Sequence, residues 1–363
     1  MKGVSPEQIR LSIHLKKLSE LCPTMTDFSA KQRILKREKT MIINTGARTD
    51  TVQYFTEWLL KRFEEGFVYS RNPLFPNKVS RYELTPEKVD CVLFCSKNYK
   101  PILPNLHKIT QKFNTYFHYT ITAYGKDIEP GVPLIEESME TLLELEKIVG
   151  KNRIAWRYDP VLLTKNYTIE RHFELFEKMC ATLTGHIDRC IFSFVEIYKK
   201  LEINFPELKI FTDYEIETLA QGFGKIAQKY GIFIQTCGTN VEFTKYGIHS
   251  SACTSLEVLA KANGIEFKPL KHKGQRLGCH CFESRDIGAY ETCLNACKYC
   301  YANKNHKKAL QNYKLHNPNS PLLLGELNET DSVTQAEQKS LLVNKPNIEK
   351  LENISNIGTL FEM

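Results

Sequence analysis

The sequence lacks any apolar run near the roughly 18 residues that a membrane-spanning helix needs. Apolar stretches such as Cys91–Cys95 are only strand-sized. The N-terminal MKGVSPEQIRLSIHLKKLSE carries neither an apolar h-region nor a small-residue cleavage site, so no secretory signal is read there, and a cytoplasmic protein without membrane contact is expected. No Gly-x-Gly-x-x-Gly and no Walker A sequence follows an apolar run, which weighs against a nucleotide-binding open sheet. Charge of one sign is also scarce. The 363 residues carry 49 Lys+Arg against 42 Asp+Glu, a net +7 with acidic residues interleaved, so an anionic partner is permitted but not required. With 42% apolar residues, wholesale disorder is excluded.

What is present is an α/β rhythm. Residues 1–40 are polar and Lys-rich and read as an N-terminal extension. From Met41, short apolar runs alternate with amphipathic segments. Strands are predicted at Met41–Thr45, Cys91–Cys95, Tyr116–Thr122, Ile154–Tyr158, Cys190–Val195 and Ile232–Thr236. The first helix has an apolar face of Val52, Phe55, Leu59 and Phe63, with Asp50 as cap and Gly66 as stop. Further helices are predicted over 134–149, 169–183 and 214–230. Strands this apolar argue for a parallel sheet covered by helices. An open doubly wound sheet and a (β/α) barrel, complete or partial, both satisfy the pattern; without a nucleotide fingerprint, the partial barrel of about six parallel strands is favoured. It would span 41–250, with a Cys-rich cluster-binding region over 251–310 packed on the barrel mouth and a tail over 311–363.

In parallel barrels chemistry collects at the C-terminal ends of the strands. The predicted ends carry Asn44, Thr45, Arg48 and Asp50; Ser96, Lys97 and Asn98; Thr120 and Thr122; Arg157 and Asp159; Glu196; and Cys237. Asp50 is equally a helix cap, and Arg157 with Asp159 equally a structural ion pair. As a set, Arg48, Asp50, Lys97, Asn98, Thr122, Arg157, Asp159 and Glu196 would line a cosubstrate and substrate cavity. A metal-dependent barrel hydrolase using these carboxylates is an alternative, weakened because neither His118 nor His172 falls at a predicted strand end.

Five of the twelve cysteines fall between Cys279 and Cys300. In a reducing compartment such clustering points to metal ligands rather than disulfides. Cys293, Cys297 and Cys300 form C-x3-C-x2-C, and three thiolates on a short loop can each hold one iron of a [4Fe–4S] cluster, leaving the fourth iron open. A structural zinc would want a fourth ligand, which His280 or Cys281 can supply, so zinc stays open.

C-x3-C-x-aromatic-C, with Tyr299 as the aromatic, resembles the cluster motif of the radical S-adenosylmethionine (SAM) enzymes. The resemblance implies a partial barrel, Cys293, Cys297 and Cys300 as ligands, Tyr299 near the adenine, hydrogen-atom abstraction from a substrate, and an electron donor such as flavodoxin or ferredoxin. The motif departs from that superfamily in lying beyond the sixth predicted strand rather than after the first, and no Gly-Gly-Glu run accompanies it. Over a longer span, Thr45–Asp50 (TGARTD), Phe94–Asn98 (FCSKN), Tyr119–Glu129 (YTITAYGKDIE), Ala155–Pro160 (AWRYDP), Ser193–Tyr198 (SFVEIY) and Gly278–Asn303 resemble a bacterial domain-of-unknown-function family with a radical-SAM-like cysteine cluster at its C-terminus.

Cys237, Cys253, Cys279 and Cys281 would suit a second site, an auxiliary iron–sulfur cluster or a zinc, unless Cys237 and Cys253 are simply buried. Cys22, Cys91, Cys180 and Cys190 read as packing residues, and Cys95 has no evident partner. The basic stretch Lys268–Arg276 reads as a solvated loop, a reductase contact or a nucleic-acid contact, although no nucleic-acid-binding fold accompanies it. A non-catalytic zinc or iron–sulfur module that binds a partner or nucleic acid is therefore a further alternative.

Overall fold

The computed structural model describes residues 41–239, 241–269 and 281–343. The N-terminal extension, Cys22, Cys279, His280, most of the basic stretch and the last twenty residues of the tail lie outside the described residues. The strands are β1 (Ile42–Asn44), β2 (Phe67–Arg71), β3 (Lys78–Glu83), β4 (Cys91–Ser96), β5 (Thr115–Thr120), β6 (Ile154–Val161), β7 (Arg189–Phe194), β8 (Ile234–Thr236), β9 (His249–Ser250), β10 (Arg285–Asp286) and β11 (Ser332–Gln335).

Eight of these form one all-parallel sheet in the order β10-β1-β4-β5-β6-β7-β8-β9. The order follows the chain from β1 to β9, without the reversal that marks a doubly wound sheet. Strands β4 and β5 are buried almost throughout, which is why their sequences read as continuous apolar runs.

Side-chain alternation divides the core into two faces. Val92, Phe94, Phe117, Tyr119, Trp156, Tyr158, Cys190 and Phe192 pack against the connecting helices Thr56–Glu65, Ile135–Val149, Ile169–Leu183 and Asp213–Lys229. The opposite face carries Ile42, Cys91, Leu93, Tyr116, Ala155 and Ile191, covered by Val258 and Leu259 of the helix Leu256–Asn263 and by Phe282 and Leu341. All the main crossover helices thus lie on one side.

One expectation is corrected. Periodicity predicts about six parallel strands, whereas the sheet has eight. The additions, β9 and β10, are two-residue strands with the sequences His-Ser and Arg-Asp, too short and polar to register as apolar runs. The expected barrel is partial, and the sheet is not closed: among the described residues β9 and β10 end it on opposite sides and do not pair with each other. A small second sheet, β11-β3-β2, flanks the main one; its half-buried β2 and β3 and its exposed β11 lie outside the predicted strands.

Candidate functional site

Asp50, at the end of the loop after β1, caps the helix Thr51–Tyr54 by accepting the Gln53 backbone N–H at 3.0 Å. The same carboxylate accepts Ser96 Oγ at 2.6 Å, the Lys97 backbone N–H at 2.9 Å and Asn295 Nδ2 at 3.3 Å. It therefore ties together the β1 loop, the end of β4 and the cysteine loop. Burial raises its pKa and the four donors oppose that rise. The loop can approach β4 because residue 46 is glycine: a Cβ there would fall 2.0 Å from the Cys95 carbonyl oxygen.

Beside it, Lys97 Nζ pairs with Glu129 Oε1 at 2.9 Å, both side chains nearly out of solvent. Glu129 also accepts from Thr122 Oγ1 at 2.8 Å and from the Tyr299 hydroxyl. Burial alone would lower the pKa of Lys97, but Glu129 and Cys297 outweigh it and hold the ammonium above the usual lysine range. The ammonium lies 5.7 Å from the centroid of the Tyr299 ring.

The loop carrying Cys293, Cys297 and Cys300 docks onto this cluster from far along the chain. The Gly131 N–H donates to the Asn295 carbonyl at 2.9 Å, Lys298 N–H to the Ile128 carbonyl at 3.0 Å, and Tyr54 Oη to Asn295 Oδ1 at 2.9 Å. Between the first two cysteines Ala296 adopts φ 54°, a left-handed conformation unusual for alanine, and the Cys300 N–H closes a turn on the Cys297 carbonyl at 3.0 Å. Burial pushes the Cys293 thiol up to about 12, with Asp50 adding to the effect. Burial also carries Cys297 well above the ordinary thiol range; Glu129 reinforces the rise and Lys97 opposes it. The three sulfurs influence one another electrostatically.

A second group lies where β8, the segment after β9 and the segment before β10 meet. The sulfurs of Cys237, Cys253 and Cys281 lie within 4.8 Å of one another, with 3.7 Å from Cys237 to Cys281 and 2.9 Å from Cys253 to Cys281. The three can hold a metal ion. Hydrogen bonds from the other two thiols favour Cys253 as the thiolate. All described cysteines are free of disulfides. Cys95, which has no evident partner in the sequence, lies 3.5 Å from His118 Nδ1, and His118 Nε2 reaches the Cys253 carbonyl oxygen at 3.1 Å. Burial and the nearby Arg157 push the His118 imidazole down to about 3.

The remaining sequence-predicted residues divide. Arg157 pairs with Asp159, which also accepts from Ser193, and the buried Arg157 Nε has no partner among the described residues. Asn98 shapes the β4 turn: its N–H donates to Ser96 Oγ and its side chain accepts from Lys100 N–H. Arg48 turns toward Asp286 at 3.8 Å and donates to Ser70 Oγ and the Gly288 carbonyl. Glu196 is exposed in the loop after β7. Sequence reasoning missed Glu129, Asn295 and His118. A signal existed for Glu129, an acidic residue in the Tyr119–Glu129 segment just before Pro130.

Among the described residues no helix is long and apolar enough to cross a membrane. No curated protein and no solved structure matches the chain. One family profile does, over residues 42–302, a span that begins at β1, ends beyond Cys300 and covers well over half of the 363 residues. The chain belongs to the family described as Domain of unknown function (DUF1848).

Proposed function

We infer that the protein is an iron–sulfur enzyme of the radical SAM type, with Cys293, Cys297 and Cys300 as the ligands of a [4Fe–4S] cluster. The observation that carries this reading is the docking of the cysteine loop, through Asn295 and Lys298, onto the loops that follow β1, β4 and β5 and bear Asp50, Lys97 and Glu129. A bound cluster would supply an electron for reductive cleavage of SAM, from which hydrogen-atom abstraction from substrate follows.

The chain's own groups would hold and shield that chemistry. Lys97 places positive charge beside Cys297, which offsets the charge of a thiolate-bound cluster. Cys293 is buried and Cys297 and Cys300 half-buried, which limits the access of water to the ligands. Arg157, with its unpartnered Nε, would take a carboxylate, that of SAM or of an anionic substrate. Tyr299, packed edge-on to Tyr124, would wall the adenine. The electron would come from a small reduced carrier such as flavodoxin or ferredoxin.

The test is anaerobic purification with iron and sulfide analysis, then addition of dithionite and SAM and assay for 5′-deoxyadenosine. Iron, sulfide and 5′-deoxyadenosine are expected from the wild type. The Cys297→Ala variant should lose the iron, and Cys180→Ala should keep it. A wild-type protein that holds no iron after anaerobic work would sink the reading.

A further inference from the structure

The eight-stranded sheet stops short of closing. Its edges are β9 on one side and β10 on the other, and no strand pairing joins them among the described residues. Cys253 follows β9 by three residues, and Cys281 precedes β10 by four. One backbone hydrogen bond crosses this seam, from the Phe282 N–H to the Thr254 carbonyl at 2.8 Å. Beside it sit three thiols: Cys253 from one edge, Cys281 from the other, and Cys237 just past the end of β8.

We propose that Cys237, Cys253 and Cys281 bind a zinc ion, its fourth position taken by water, that clasps the open seam of the sheet. Zinc–thiolate bonds of about 2.3 Å at the tetrahedral angle put two sulfurs about 3.8 Å apart. Cys237 and Cys281 are already at 3.7 Å, and all three sulfurs lie within 4.8 Å. A cubane cluster would need the thiolates farther apart, because each sits on its own iron. A disulfide is the other chemistry open to such a group: the 2.9 Å between Cys253 and Cys281 lies midway between an S–S bond of about 2.05 Å and the zinc-bound separation, and the third thiol, that of Cys237, is what favours the ion.

The surroundings suit a structural ion. Phe282 and the helix Leu256–Asn263 pack over the group from the apolar side, and Arg157 of β6, paired with Asp159, lies within electrostatic reach of Cys253 and Cys237. The backbone of Cys253 is anchored across the sheet by His118. Two edges too short and polar to hold each other by a strand ladder would thus be joined by metal–ligand bonds, whose formation is coupled to folding. The inference concerns a different set of ligands from the proposed cluster and stands without it.

The test measures metal on the intact protein, prepared anaerobically from zinc- and iron-supplemented cells. About one zinc per chain is expected in the wild type and in Cys297→Ala, and loss of that zinc in Cys253→Ser and Cys281→Ser. Zinc-edge X-ray absorption on the wild type should show sulfur neighbours at about 2.3 Å, a readout that survives if the serine variants fail to fold. Chelation should then speed amide exchange at β9 and β10 by tenfold or more while β5 and β6 stay protected. The proposal is overturned by a wild-type protein without zinc, by iron or a Cys253–Cys281 disulfide in place of zinc, or by a zinc shell made only of nitrogen and oxygen. Unchanged exchange at β9 and β10 after chelation would remove the clasp.

Discussion

The Gly131 N–H donates to the Asn295 carbonyl at 2.9 Å, and a Cβ on Gly131 would lie 2.7 Å from Asn295 Cα. The cysteine loop thus packs on the loop after β5 over a surface that a single methyl group would block.

Gly131→Ala is therefore expected to push the loop outward. The new methyl would meet Asn295 Cα and the Leu294 carbonyl oxygen, both backbone atoms, and Tyr54 Oη at 2.9 Å, so no flexible side-chain end can simply swing away. Overpacking of this kind costs about 1–3 kcal/mol. The thermal midpoint should fall and the variant should retain less iron than the wild type after anaerobic gel filtration. Gly150→Ala, where a Cβ meets nothing within 4 Å, should leave the iron unchanged and lower stability only through its left-handed backbone. Equal iron in Gly131→Ala and wild type would mean that the loop is not held from this side.

Lys97 and Glu129 form a pair that should be worth far more to break than to replace. Lys97→Met leaves the Glu129 carboxylate buried with only the Thr122 and Tyr299 hydroxyls, a loss of about 3–5 kcal/mol expected from an uncompensated buried charge. Adding Glu129→Gln removes that charge and should restore part of the stability. Denaturation midpoints of the wild type, both single variants and the double variant give the coupling directly. Additive losses would show that solvent already screens the pair.

Much of the fold was legible because strand and helix periods differ. The helix Ile169–Leu183 matches its predicted bounds, since its apolar residues recur every three to four positions and Thr168 caps it. Strand β6 was legible for the opposite reason: Ile154, Trp156 and Tyr158 form one apolar face, which leaves Arg157 and Asp159 together on the other. The strands β9 and β10 were not legible, because two residues are too few to show a period. The grouping of Cys237, Cys253 and Cys281 as ligands of a second site was legible from their clustering outside the apolar runs, and the structure gathers the three. The partner of Cys95 was not legible, because it finds His118 only where β4 and β5 run in register.

His172 predicts an acid-labile core. Burial pushes its imidazole down from 6.5 to about 4, with the Leu162 carbonyl opposing in part. Its Nδ1 lies 2.7 Å from the Tyr158 hydroxyl and its Nε2 2.8 Å from the Leu162 carbonyl oxygen. Between about pH 4 and pH 6.5 the unfolded chain binds the proton and the folded chain does not, so this group's contribution is complete above the unfolded value and is lost as pH falls through that window. The wild type should lose up to about 3 kcal/mol more than His172→Gln between neutral pH and about pH 4, read from urea midpoints at each pH. Parallel pH profiles for the two proteins would show that His172 is protonated in the fold without cost.

Asp50→Asn tests how far the carboxyl group at the centre of the site holds the cysteine loop. All four of its neighbours are donors: Gln53 N–H and Ser96 Oγ on Oδ1, Lys97 N–H and Asn295 Nδ2 on Oδ2. An asparagine amide must turn its own N–H groups toward one pair or the other. Ser96 can rotate its hydroxyl and Asn295 can flip its amide, but the backbone N–H groups of Gln53 and Lys97 cannot adapt, so one of them is left without an acceptor in either orientation. A protonated Asp50 escapes this conflict, because its hydroxyl oxygen can donate to Ser96 Oγ and still accept the Gln53 N–H. Burial raises the pKa of Asp50 while its four donors oppose the rise. An orphaned buried donor costs about 1–3 kcal/mol. Because Asp50 holds both the end of β4 and Asn295, Asp50→Asn should lower the denaturation midpoint and also speed alkylation of Cys293 in the metal-free protein. Asp50→Asn as stable and as slow to alkylate as the wild type would show that the four donors do not depend on this carboxyl group.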